Sequence, residues 1–182
     1  MILQKDFNGE PIELHRIVAK PLYFGLLCNV IIPMGLLLAC YYYDKGHDLE
    51  NKLGELANPL FYVFLVLAAT EGAFAYWWRG KLLEKPMIRR KETFQQDVMF
   101  GLLRASRPVF ILIAAISFYG FLYYFLTGRF TEAVFMVLFS FIVFQFVRPR
   151  FGAVNKLIER QYKMAEEGEF YTGNFDQADG SA

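Results

Sequence analysis

Residues 21–43, 59–78, 108–127 and 130–147 are four apolar blocks, and most of the charge of this 182-residue chain lies between them. Each is close to the roughly 20 residues that an α-helix needs to cross a bilayer. In hydrocarbon the backbone N–H and C=O groups have no water to bond, so such a segment must satisfy them internally as a helix. A soluble domain would interleave apolar and polar residues at helix or strand period. The expected fold is therefore an all-α membrane protein, with four transmembrane helices and amphipathic cytoplasmic helical segments.

Residues 1–20 form an N-terminal arm. In it, Asn8-Gly9-Glu10-Pro11 predicts a helix start, because proline suits the first helical turn. The first twenty residues include Asp6, Glu10, Glu13, His15 and Arg16, so they do not read as a signal or transit peptide. Pro33 sits within the first block and deprives the carbonyl of Asn29 of its helical donor, which predicts a kink there. A polar loop, 44–58, leads to the second block, which closes on Trp77 and Trp78. Segment 79–107 carries eight Lys or Arg against Glu84, Glu92 and Asp97. Within it, Thr93 and Gln96 resemble a capping box. Phe94, Val98, Gly101, Leu102 and Ala105 follow at helical spacing, which predicts an amphipathic helix along the membrane surface leading into the third span. Gly128-Arg129 predicts a tight turn that makes spans three and four an antiparallel hairpin. Val154, Leu157, Ile158 and Gln161 extend the fourth helix over 148–165. Residues 166–182 hold five acids and no base and are expected to be disordered.

Charge sets the expected orientation. Sixteen of the nineteen Lys and Arg fall in the arm, in 79–107 and beyond residue 147, leaving Lys45, Lys52 and Arg129 on the other side. Basic residues in short loops stay on the cytoplasmic side. Both termini and segment 79–107 are thus expected in the cytoplasm, and the chain in a bacterial inner membrane. Lys20-Pro21, Arg107-Pro108 and Arg148-Pro149 are expected to mark cytoplasmic helix boundaries.

Two sets of residues are candidates for chemistry. At 1.5 Å per residue, Asn29, Glu71, Ser117 and Ser140 lie about 12, 10, 13 and 12 Å above the cytoplasmic ends of their four blocks. They form a polar layer at one depth. Intramembrane carboxylates often mark ion or substrate pathways. Polar side chains also serve as interhelical glue, and glue is the simpler account, with Glu71 bonding Asn29 or a carbonyl. The second set is Lys85, Arg89, Arg90, Lys91, Arg104 and Arg107, which suit anionic lipid headgroups or an acidic partner. An acidic tail carrying Phe170, Tyr171 and Phe175 could also fold back on this segment.

Cys28 and Cys40 are about 120° and 18 Å apart on one helix, so they cannot bridge and read as small apolar residues. His15 and His47 are expected on opposite sides outside the bilayer, which argues against haem held by paired intramembrane histidines. No zinc spacing, phosphate-binding glycine loop or close Ser/His/Asp set is visible, so no metal, cofactor or catalytic residue is assigned. Nucleic acid is not an expected partner, since no reading motif accompanies the basic residues.

The expected function is that of a non-enzymatic membrane subunit. It would oligomerise or join a membrane complex, contact lipids and engage a cytoplasmic protein partner, with membrane-state sensing as a variant. The alternatives are a small oligomeric transporter or channel built on the polar layer around Glu71, and a lipid-acting enzyme.

Overall fold

The computed structural model describes residues 5–46 and 51–171. Over these the chain is helical, with one isolated bridge between Lys5 and Pro11. Four helical stretches are long and apolar enough to cross a membrane: Leu14–Gly46, Gly54–Leu83, Lys91–Thr127 and Phe130–Val147. The protein is a multi-pass, all-α membrane protein.

The first stretch is α1 (Leu14–Leu26), a five-residue π-helical turn (Leu27–Ile31) and α2 (Ile32–Gly46). The turn sits where Pro33 removes a backbone donor, and such local widening is a regular cause of helix kinks. Asn29 lies in the turn and donates its amide to the Gly25 carbonyl at 3.1 Å. The expectation for Pro33 and Asn29 is a kink; what the structure shows at this point is the π-helical turn.

Helix α3 (Ala57–Leu83) runs past Trp77 and Trp78 to the basic segment. Helix α4 (Phe94–Thr127) is a single helix of 34 residues, about 51 Å long. It is the central element: 50% of its most apolar window is buried, against 17% for the first two stretches. Helix α5 (Phe130–Val147) folds back on it through Gly128, whose φ of 70° is the left-handed conformation that glycine adopts without strain. The hairpin packs closely because Gly120 has no side chain; a Cβ there would lie 2.7 Å from Met136 Cβ.

Beyond the bundle, the arm, segment 84–93, the start of α4 and α6 (Phe151–Glu166) build a second apolar core at one end. Ile17, Val18, Ile88, Phe94, Val98, Leu102, Val154 and Ile158 are all buried in it. Phe7 from the arm stacks on Tyr162 with ring centroids 4.1 Å apart and meets the edge of Phe94. This basic end carries the arm, the middle segment and α6 together.

Several local expectations change here. Asn8–Pro11 does not start a helix; Asp6 Oδ1 accepts the N–H groups of Asn8 and Glu10 and closes a tight turn before α1 begins at Leu14. Thr93 makes no side-chain cap; its hydroxyl donates to Asp97 instead. Pro21 and Pro108 lie inside α1 and α4 and end neither. The apolar face of residues 94–105 is buried against protein as part of one unbroken helix, so it is not a separate surface helix. Conversely, α5 does not continue past Val147. Arg148 precedes Pro149 and is held extended (ψ 147°), so α6 is a separate helix. The disorder expected over 166–182 and the placement of His47 fall largely outside the described residues. Of the described part, residues 166–169 are exposed, whereas Phe170 lies against the end core.

Candidate functional site

A cleft opens at the basic end between the last turn of α3, segment 85–89 and the first turns of α4. Its volume is about 700 Å³. Lys85, Arg89, Arg104 and Arg107 line it, opposed by one acid, Asp97. Three features set its wall. Gln161 of α6 is fully buried; its Oε1 accepts the Met87 N–H at 2.8 Å and its Nε2 donates to the Lys85 carbonyl at 3.0 Å. Gly101 lets Met87 approach α4, since a Cβ there would meet Met87 Cβ at 2.7 Å. Asp97 Oδ2 accepts the Arg89 N–H at 2.8 Å and the Thr93 hydroxyl at 2.9 Å. The one carboxylate of the cleft is thus engaged with the backbone and hydroxyl of the loop it organises. Lys85, Arg89 and Arg107 take part in none of the ion pairs among the described residues.

Tyr171 also lines the cleft. Its backbone N–H donates to the Ile88 carbonyl at 2.7 Å, and Arg104 Nη1 donates to its hydroxyl at 3.1 Å. The guanidinium carbons of Arg89 and Arg104 lie 5.9 and 5.4 Å from its ring centroid. Two like charges are held beside one aromatic ring, whose negative face attracts both. The other two basic candidates lie elsewhere. Neither Arg90 nor Lys91 lines the cleft, and the Lys91 ammonium sits 5.3 Å above the Phe7 ring.

The intramembrane polar residues are not a connected network. Glu71 accepts the Tyr119 hydroxyl across α3 and α4, and Tyr119 stacks on Phe64. Ser140 donates to the Ile113 carbonyl at 3.0 Å, joining α5 to α4. Asn29 bonds within its own helix stretch. Asn29 Oδ1, Glu71 Oε2 and Ser117 Oγ are buried without a hydrogen-bond partner. No pair among the four bonds to another, and Glu71 meets neither Asn29 nor a carbonyl.

Sequence reasoning missed the tyrosines. Tyr119, Tyr123 and Tyr124 lie toward the far end of the third span, and Tyr123 and Tyr124 are fully buried. Tyr123 donates to the Ala57 carbonyl, and Tyr124 to the Cys40 carbonyl and Asp44, each at 3.2 Å. They tie α4 to the start of α3 and the end of α2. The spacing of Tyr119 and Tyr123, four residues apart on one helix face, was the available signal. Among the described residues, no three His, Cys, Asp or Glu side chains gather where they could hold a metal ion.

Compared with protein-family models, curated proteins and solved structures, the chain matches none. The site is accordingly read from its own chemistry.

Proposed function

We propose that this protein is a non-enzymatic membrane subunit that assembles with itself or with another membrane protein and presents its basic end to a cytoplasmic partner. In this reading both termini face the cytoplasm of a bacterial inner membrane, as the bias of Lys and Arg favours. One observation carries it: the basic end is a packed layer with its own core. A helical bundle needs no such layer to span a bilayer. Ordering the arm, the loop and α6 costs conformational entropy at every residue, and a structured surface for recognition gives that cost a use. The membrane-depth faces suit assembly, with Phe118, Phe125, Leu138 and Phe146 exposed on α4 and α5. Such faces can meet lipid or a neighbouring helix.

The test combines orientation with assembly. Single cysteines introduced at Glu13 and Glu159 should react with an impermeant thiol reagent only from the cytoplasmic side. Crosslinking in native membranes, followed by mild-detergent purification, should yield one stoichiometric partner or a defined homo-oligomer. Neutralising Arg89, Arg90 and Lys91 should release a soluble partner without dispersing a membrane-embedded one. A monomer that carries no partner under these conditions contradicts the proposal.

A second reading, a small oligomeric transporter or channel, draws on the buried, unpartnered oxygen of Glu71. Flux through reconstituted vesicles that is abolished by Glu71→Gln would favour it over the first.

A further inference from the structure

We infer that the cleft formed by Lys85, Arg89, Arg104, Arg107 and Tyr171 is a binding site for the phosphodiester headgroup of an anionic phospholipid. The inference rests on the membrane placement proposed above, and not on a protein partner.

Charge is the first argument. Four cations line the cleft, and its one acid, Asp97, is already engaged with the Arg89 N–H and Thr93. The second argument is geometry. The guanidinium groups of Arg89 and Arg104 both lie against the Tyr171 ring, which gathers two forked cations at one side of the cleft. A guanidinium carries five donors, and its planar fork matches two oxygens of a phosphate. Tyr171 thus acts as a positioning residue that holds Arg89 and Arg104 together against their mutual repulsion. The third argument is location, and it favours a lipid over a soluble anion. Arg104 and Arg107 lie in the turn of α4 that precedes Pro108, where the apolar run of the span begins. The Arg107 guanidinium sits 5.7 Å from the ring of Phe24, one of the residues packed against the bundle core. Leu82, Phe100 and Leu103 give the same cleft an apolar wall. Phosphate-binding groups beside an apolar wall at the end of a span match a headgroup joined to its glycerol and acyl chains.

The experiment uses the full chain, delipidated in mild detergent and titrated with phosphatidylglycerol, phosphatidylcholine or inorganic phosphate, with bound adducts read by native mass spectrometry. Wild type should bind phosphatidylglycerol at least tenfold more tightly than phosphatidylcholine. The double variant R89Q/R104Q should lose about tenfold or more of that affinity, given the size of single basic contacts to anionic headgroups. R90Q/K91Q removes the same charge outside the cleft and should stay within about twofold of wild type. Equal losses in the two variants would show a diffuse basic surface and overturn the site. Displacement of phosphatidylglycerol by millimolar inorganic phosphate would assign the cleft to a soluble anion and overturn the lipid. Y171F keeps the ring and should bind nearly as wild type, whereas Y171A should bind severalfold more weakly; tighter binding by Y171A would make Tyr171 a plug and overturn its positioning role. If R89Q/R104Q is not monodisperse, R89K/R104K keeps the charge, loses the fork and should still bind severalfold more weakly. Wild-type affinity in that variant counts against the geometry. Lipid binding is read on purified protein, so its failure leaves the orientation and crosslinking results standing on their own.

Discussion

Replacing Gln161 by leucine tests whether α6 holds the wall of the basic cleft. Gln161 is fully buried, and its two side-chain bonds reach the Met87 N–H (2.8 Å) and the Lys85 carbonyl (3.0 Å). Leucine has similar bulk and makes neither bond. The bond to the Lys85 carbonyl is only part-buried, so its loss costs less than that of the buried bond to Met87. Met87 is only 8% exposed. Its N–H would be left buried and unpaired, a loss of roughly 1–3 kcal/mol. Taking about 2 kcal/mol as the central value, local opening of residues 85–88 should become about 30-fold more frequent. Hydrogen exchange in detergent micelles reads this directly, because the Met87 amide is itself the donor. Exchange at Met87 should accelerate by about that factor, while α4 and α5 peptides keep their wild-type protection. Unchanged exchange at Met87 in Gln161→Leu would refute the reasoning, because the loop would then be held by packing alone. Uniform acceleration across α4 and α5 would refute it too, by showing that α6 stabilises the whole bundle and not this loop.

Other outcomes follow from single contacts. Gly120→Leu should destabilise the α4–α5 hairpin by about 1–3 kcal/mol or more, measured by thermal unfolding in detergent, because even a Cβ there meets Met136 at 2.7 Å. Tyr119→Phe removes the hydroxyl that Glu71 accepts and should cost about 1–3 kcal/mol of stability; if Glu71→Gln keeps assembly, stability and any flux unchanged, Glu71 has no part in mechanism. Pro33→Ala restores a backbone donor to the carbonyl of Asn29 and should straighten the π-helical turn. Spin labels at Tyr23 and Tyr42 should then report a changed separation, and an unchanged one would mean that packing sets the turn.

Much of the fold was legible because its determinants are local. Four apolar blocks needed only length and hydropathy to be recognised. The turn at Gly128 followed from residue type in the same way. The prolines show where local rules stop. Pro21 and Pro108 each follow a basic residue, as Pro149 does, yet only Pro149 separates two helices. Proline in a helix interior forfeits a hydrogen bond, but packing on the neighbouring elements can outweigh that loss. Helix α4 has α1, α3 and α5 against it, and α1 packs on both α4 and α6.

The candidate sites divide in the same manner. Depth along a helix can be read from residue number, so Asn29, Glu71, Ser117 and Ser140 could be placed at one level. Depth says nothing of rotation about the axis, and it is rotation that pairs Glu71 with Tyr119 and turns Tyr123 and Tyr124 inward. The six cations were likewise equivalent as a string. Only the clamp of Gln161, the missing side chain of Gly101 and the docking of Tyr171 separate the four that share a cleft from Arg90 and Lys91. What the sequence determined by itself was which segments must be helical and apolar, because bilayer length and backbone hydrogen bonding act on contiguous residues. The tertiary structure decided which side chains meet, because a contact between residues 67 positions apart, such as Arg104 and Tyr171, depends on how several helices pack at once.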